Sequence, residues 1–329
     1  MTRGPRGIVG IVLAVGMLAA CSAPPAPDAW LLTPLRHDNR LDGADSPWHT
    51  DVTFPMRLTS DTAGGLWGHS AGSWLHLDAD GETLRRFNLL DGEAPLELRG
   101  IAALTPDVLV VSAPAADASG AVHEFDTATG SWRVLHRADG ILGDLAVHDG
   151  AVYVVQFATG DGEFTVRRLQ LDAPDVLVDA TPPLPWPPAV GSTLHGTVAI
   201  DVAPDGAIHV ATQTERIVVG VDGTILDRAP HDVTRPDVAV GPDGVAAWVT
   251  TAGGEVAPTH VTAGSPEARA VLAPTSCADS RVLVGRGVDG VPLALGCVAG
   301  LAWVGPATVV ASLGGEGGAV LTRLDGPTG

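Results

Sequence analysis

Beyond its first twenty residues the chain alternates short runs of Val, Leu, Ile, Ala and Trp with Asp-Gly, Pro-Asp-Gly and Thr-Gly turns. An apolar residue every three or four positions, as on a helix face, is almost nowhere found. Short apolar runs bounded by turn residues predict strands, so the pattern predicts an all-β domain. The runs also repeat. Val202-Ala-Pro-Asp-Gly-Ala-Ile-His-Val210 and Val240-Gly-Pro-Asp-Gly-Val-Ala-Ala-Trp248 are two copies of one unit. Leu145-Ala-Val-His-Asp-Gly-Ala-Val-Tyr-Val154 is a third, without the proline, and residues 58–67 form a longer fourth. Residues 101–112 and 301–312 are degenerate copies, with Thr105-Pro-Asp107 and Gly305-Pro-Ala307 at the turn. Most units continue into a second turn, such as Leu77-Asp-Ala-Asp-Gly81, Phe125-Asp-Thr-Ala-Thr-Gly130 or Val221-Asp-Gly223, and then a further short strand. Four antiparallel strands in each unit of about 40 residues is the signature of a propeller blade.

The strand–Pro-Asp-Gly–strand unit followed by strand, Asp-Gly and strand resembles the repeats of NHL-like and YVTN-like propellers. The resemblance spans most of residues 55–326 and implies a β-propeller of six four-stranded antiparallel blades. The blades are expected near 56–90, 98–137, 144–180, 197–228, 237–273 and 279–326. Seven blades is the alternative, because the last region holds both a hairpin at 281–295 and a fresh unit at Leu301. Residues 301–324 supply only three strands, and Ala29-Trp-Leu-Leu-Thr-Pro-Leu35 is the candidate for the fourth, closing the ring by pairing the two ends of the chain.

The first twenty residues carry a different pattern. Arg3 and Arg6 precede an uncharged apolar run from Ile8 to Ala20, which is short for a membrane-spanning helix and suits a secretory leader. The run ends in Leu18-Ala-Ala-Cys21, which resembles the lipobox of bacterial lipoproteins. That resemblance implies cleavage before Cys21, lipidation of Cys21, and tethering to the outer face of the cell membrane. The expected organisation is a signal peptide at 1–20, then 21–54 with the lipidated cysteine, the Pro-rich spacer Ser22-Ala-Pro-Pro-Ala-Pro27 and the ring-closing strand, and the propeller at 55–329. A Pro-rich spacer is stiff and extended, and holds a domain off a surface.

Charge narrows the partners. The net charge is −19, every basic residue is Arg, and the leader takes two of them with it. An acidic surface repels phosphate backbones, so nucleic acid is excluded as a partner. It gives anionic lipid no basic patch either, so the acyl chains carry the membrane attachment. The Ala-, Gly-, Pro- and Arg-rich, Lys-free composition suggests a GC-rich, actinobacterial genome. With Cys21 lipidated, Cys277 and Cys297 remain, and outside the cytoplasm such a pair is expected to bridge. Folding a hairpin about Arg286-Gly-Val-Asp-Gly290 brings the two opposite each other. A bridge closing a loop of this size contributes about 3 kcal/mol.

The candidate chemistry is sparse. Asp78-Ala-Asp-Gly-Glu82 places carboxylates as calcium loops do but lacks the later ligands, so it reads as a hairpin turn. Asp126-Thr-Ala-Thr-Gly-Ser-Trp132 resembles one segment of quinoprotein dehydrogenase propellers. It occurs once, with the tryptophan displaced, and reads as a turn followed by a strand aromatic. Gly314-Gly-Glu-Gly-Gly318 is followed by no helix and reads as a connection rather than a phosphate loop. The eleven His show no metal-ligand spacing, and neither a metal nor a cofactor is expected. His69 and His195 fall where blade loops gather on one face. Streptogramin lyases use such a face with His and metal, an analogy of fold alone. The loop Thr181-Pro-Pro-Leu-Pro-Trp186-Pro-Pro, running on to His195, presents a tryptophan among prolines. Trp186 is either a rigid ligand anchor or a cover for the blade edge.

The sequence therefore leads to a monomeric lipid-anchored propeller that binds a protein, peptide or cell-envelope component, with Trp186, His195 and His69 as the candidate contacts. A metal-dependent lyase or lactonase-like enzyme working in the central channel is the alternative. A purely structural envelope component is the third reading. Carboxylates and His converging in the channel would favour the enzyme.

Overall fold

A computed structural model describes residues 29–38, 57–70, 73–80, 83–88, 98–114, 120–158, 162–174, 176–186, 197–251, 261–263, 280–293, 295, 298–315 and 318–327. They contain strands and turns and no helix. Strand β1 (Trp30–Asp38) comes first and joins the last blade. Blade one is β2 (Arg57–Ser60), β3 (Leu66–Ser70), β4 (Ser73–Leu77) and β5 (Thr83–Asn88). Blade two is β6 (Gly100–Thr105), β7 (Val108–Pro114), β8 (Gly120–Asp126) and β9 (Ser131–Ala138). Blade three is β10 (Ile141–His148), β11 (Ala151–Phe157) and β12 (Glu163–Gln170), with two short pieces, β13 (Leu177–Asp179) and β14 (Leu184–Pro185), both on the edge of β12. Blade four is β15 (Val198–Val202), β16 (Ile208–Thr212), β17 (Glu215–Val219) and β18 (Ile225–Pro230).

Blade five begins with β19 (Val238–Val240) and β20 (Ala246–Thr251). The next strand, β21 (Val261–Ala263), leaves it, and β22 (Ser280–Gly285) and β23 (Val291–Leu293) complete it. Blade six is β24 (Val298–Gly305), β25 (Thr308–Gly315) and β26 (Gly318–Asp325) with β1 antiparallel to β26 and β21 parallel to β1. The propeller thus has six blades. The expected border between the fifth and sixth is corrected. The hairpin at 281–293 is the outer half of blade five, because β22 pairs with β20 from Ala246↔Gly285 to Thr251↔Ser280. That pairing uses the strand that a seventh blade would have required.

Each middle strand is buried on both faces. Residues of β11 and β16 are buried almost without interruption, since one face packs on the preceding blade and the other on the following one. Six apolar clusters among the described residues fill the six blade-to-blade interfaces. Within blade four, Ile200 and Val210 pack toward blade three, while Ala199 and Ala211 pack toward blade five. Outermost strands meet water, and β18 is largely exposed along its length. The repeated Pro-Asp-Gly turns are built alike. In blade four the Ala207 amide donates to Asp205 Oδ1 at 3.1 Å, and in blade five the Val245 amide donates to Asp243 Oδ1 at 3.2 Å. Gly206 and Gly244 hold φ of 84° and 77°, which a residue with a Cβ rarely adopts.

Ring closure rests on β1. Leu32 is fully buried between blades five and six, and Trp30 meets Trp303 edge-on at 6.4 Å. Leu32→Ala is expected to lower the unfolding free energy by about 3 kcal/mol, read from the denaturant midpoint at unchanged slope. A change within experimental error would mean that β1 is not part of the cooperative ring.

Candidate functional site

The innermost strands β2, β6, β10, β15, β19 and β24 surround a channel of about 210 Å³. An innermost strand has a ladder partner on one side only. Amides on its other edge need an acceptor from elsewhere, because a buried unpaired N–H is costly. Three aspartates supply it, each for the next blade. Asp144 Oδ2 accepts from the Ile200 amide at 3.0 Å, Asp201 Oδ2 from Val240 at 2.7 Å, and Asp237 Oδ2 from Leu301 at 2.8 Å. Their second oxygens are also engaged. Asp201 Oδ1 takes the Val202 amide at 2.8 Å, Asp237 Oδ1 takes that of Val238 at 2.9 Å, and Asp144 Oδ1 takes Arg57 Nη1 at 2.8 Å. Trp303 adds a further tie between blades six and five, donating Nε1 to Ala239 O at 2.9 Å.

Blade two has no such aspartate, and its innermost strand opens with Gly100. A Cβ there would lie 2.6 Å from the Leu145 nitrogen, so β6 and β10 approach too closely for any side chain. Arg57 of blade one passes this gap to reach Asp144 of blade three. Ser112 Oγ donates to Gly143 O across the same interface. In blade one, Asp61 also lines the channel. Its Oδ2 meets His76 Nε2 at 2.7 Å and its Oδ1 accepts the Ala63 and Gly65 amides at 2.7 and 2.6 Å. The His76 ring stacks on Trp67 with centroids 4.2 Å apart.

Burial sets the protonation of the channel. It pushes Asp201 and Asp237 up to about 7, against the backbone amides that favour their charged forms. It also raises Asp144, despite Arg57 beside it. The channel therefore holds carboxyls that exchange protons near neutrality, a property common at catalytic sites. Each already serves as a fastener, however. Among the described residues no three His, Cys, Asp or Glu converge in a group able to hold a metal ion.

Of the residues singled out from sequence, Trp186 is not among the described residues that line the channel. Trp186 is half-buried beside blade three. Its indole lies 5.0 Å from the Phe157 ring and its Nε1 donates to Thr197 Oγ1 at 3.2 Å. Just before it, Leu184 is buried in β14 and pairs with Phe164, so the Pro-rich segment is strapped to β12. His69 stands on β3, opposite Arg57 on one side and Trp74 on the other. The β3–β4 connection and the segment after Trp186 leave from the same end of the propeller by strand direction. Cys21, His195, Cys277 and Cys297 lie outside the described residues. The segment at Asp126 is a turn, with Asp126 Oδ1 accepting the Ala128 and Thr129 amides and Trp132 stacked on Phe125 at 4.3 Å. Asp78 likewise accepts the Asp80 amide within a turn.

Sequence reasoning missed Arg57, Asp144, Asp201 and Asp237. A signal was present. Asp144-Leu-Ala-Val147 and Asp237-Val-Ala-Val240 place an acid just before the same kind of apolar triplet, within β10 in one blade and next to β19 in the other.

No protein-family profile and no curated protein matches the chain. Solved structures do. A protein of unknown function from Bacteroides thetaiotaomicron superposes with a TM-score of 0.54 at 9% identity, covering 89% of this chain and 75% of that one. The pyrroloquinoline-quinone-bound aldose sugar dehydrogenase from Streptomyces coelicolor gives 0.52 at 15% identity, over 92% and 99%. A gluconolactonase from Xanthomonas campestris gives 0.50 at 16% identity, over 90% and 89%. At these identities the likeness is one of fold.

Two outcomes follow. Asp201 and Asp237 keep their protons in the folded chain up to about pH 7, whereas the unfolded chain releases them near the ordinary 3.8. Their contribution to stability is complete below the lower value and is lost as pH rises to the upper one. His209, pushed down to about 4 by burial, acts in the opposite sense over pH 4 to 6.5. Comparing Asp201→Asn with wild type isolates the carboxyl. Between pH 4.5 and 6.5 the variant's stability, relative to wild type, should rise with pH by up to about 1.4 kcal/mol per unit. Parallel profiles would show that the group is ionised throughout. Separately, Trp186→Ala should cost about 2 kcal/mol, since a partly buried indole packed on Phe157 is removed. An unchanged melting curve would free Trp186 of any covering role.

Proposed function

We propose that the chain is an extracytoplasmic lipoprotein, anchored through lipidated Cys21, whose propeller binds a protein, peptide or cell-envelope ligand at the loop end that carries Trp186. One observation carries the choice of binder over catalyst. Both oxygens of Asp144, of Asp201 and of Asp237 already hold donors from their own chain, so these channel acids serve the ring. Specific recognition then falls to the loops, which a rigid ring holds in place. Part of Trp186 stays accessible while Thr197 and Phe157 fix its orientation, which lowers the ordering cost of using it as an anchor. The Cys277–Cys297 bridge and an actinobacterial origin belong to the same reading.

A lactonase-like enzyme is the second reading. It is favoured by three carboxyls raised by burial and one guanidinium around a single channel, on a fold shared with a gluconolactonase. The two readings part experimentally. Metabolic labelling with palmitate, in the native host, is expected to mark the wild-type chain and leave Cys21→Ser unlabelled. Crosslinking at the cell surface should then capture a defined envelope component, with capture lost in Trp186→Ala at a temperature where that variant is folded. Stoichiometric metal in the purified full chain, combined with lactone hydrolysis lost in Asp201→Asn, would overturn the binder in favour of the enzyme.

A further inference from the structure

A second cavity lies at the opposite end of the propeller, where the Pro-Asp-Gly turns emerge. It is a cleft of about 440 Å³ between blades four and five. That volume suits a small molecule. The sealed floor includes His209, which is 3% exposed. Burial pushes its pKa down to about 4, so the ring is neutral at pH 7 and carries one N–H. Nδ1 is sealed with no partner among the described residues, which leaves Nε2 as the ring nitrogen able to meet the cleft. The ring is held in place by Trp248, 5.3 Å away between centroids. Trp248 in turn donates Nε1 to Gly287 O at 3.0 Å.

The rim is charged, and both signs are present. Asp205 and Asp243 stand on equivalent turns of the two blades, and Arg286 stands on the β22–β23 turn. Each aspartate spends Oδ1 on its own turn amide, and no other bond to it is made among the described residues, so Oδ2 is available. The Arg286 turn is fixed from blade four, because Asp227 Oδ2 accepts the Val288 amide at 3.2 Å. Arg286 itself is exposed and has no carboxylate partner among the described residues. Apolar surface completes the site. Pro204 and Pro242 face the same cleft, and Leu226 is 62% exposed on its wall. An exposed leucine beside two prolines and a buried neutral imidazole is a recognition surface that the ring itself does not require.

We infer that this cleft binds a small zwitterion of the amino-acid class with an apolar side chain. Its ammonium faces Asp205 and Asp243, its carboxylate takes Arg286 and the His209 Nε2–H, and its apolar body covers Pro204, Pro242 and Leu226. A guanidinium matches a carboxylate through paired donors, which a lysine would not. A simple anion would meet two carboxylates on the rim, and a simple cation would meet Arg286. Only a ligand carrying both charges satisfies the whole rim. The site stands apart from the loop end assigned to the envelope ligand, and neither depends on the other.

L-phenylalanine is the probe, titrated into the purified full chain by isothermal calorimetry. Saturable binding at one site per chain is expected. 2-Phenylethylamine and 3-phenylpropionate, each lacking one charge, should bind about tenfold more weakly, as should L-phenylalanine to Arg286→Gln. Arg286 is exposed, so this variant should keep the wild-type circular dichroism and melting curve. Leu226→Glu, equally exposed, tests the apolar wall and should weaken binding by a similar factor. No saturable heat overturns the proposal. So does binding of either single-charge analogue as tight as that of L-phenylalanine, or binding unchanged in both variants.

Discussion

The innermost strand of every blade has one edge without a neighbour, and the architecture depends on how that edge is satisfied. Water can serve some of those amides, but a narrow channel leaves little room for it. This chain answers with carboxylates that reach from one blade to the next inner strand, from Asp144 to Ile200, Asp201 to Val240 and Asp237 to Leu301. Each bond does two things at once. It pairs an orphan donor, and it fixes the lateral spacing of two sheets that otherwise meet mainly through apolar side chains. Charge-assisted bonds of this kind are the stronger ones, though burial of the acid works against them. Raised proton affinity at Asp201 and Asp237 is the physical trace of that opposition.

The same geometry explains residues that would otherwise look like drift between repeats. Blade four has Val202-Ala-Pro and blade five Val240-Gly-Pro. A Cβ on Gly241 would come within 3.0 Å of the Trp303 ring, which lies over it from blade six and donates to Ala239 O. Glycine is thus selected by a neighbour's tryptophan rather than by backbone conformation. Gly100 is a second case. The inner strand of blade two presses against the backbone of β10 there and carries no such acid, and Arg57 of blade one pairs with Asp144.

Much of the fold was legible because turn chemistry and apolar runs repeat. The Pro-Asp-Gly units at 202–210 and 240–248 fold as read, and six four-stranded blades follow from their spacing. The border between the last two blades was not legible. β21 is carried away to pair with β1, and β22 takes its place beside β20. That exchange is a long-range pairing, and local pattern holds no record of it. The channel residues were missed for a related reason. An aspartate within or beside a short apolar run resembles a turn residue until the neighbouring blade supplies the amide it binds.

Asp201 and Asp205 show why counting acids says little about what they do. They stand four residues apart in one repeat. Asp201 lies on an inner edge, lines the channel, and spends both oxygens on backbone amides. Asp205 lies on the exposed turn, closes it with one oxygen, and leaves the other toward a cleft. Ring-forming acids cannot readily give up their partners to a ligand, since doing so would orphan a buried amide and loosen an interface. Turn and loop residues carry no such obligation. Recognition in this propeller is therefore expected at its two ends, in connections whose side chains the closed ring holds still without consuming.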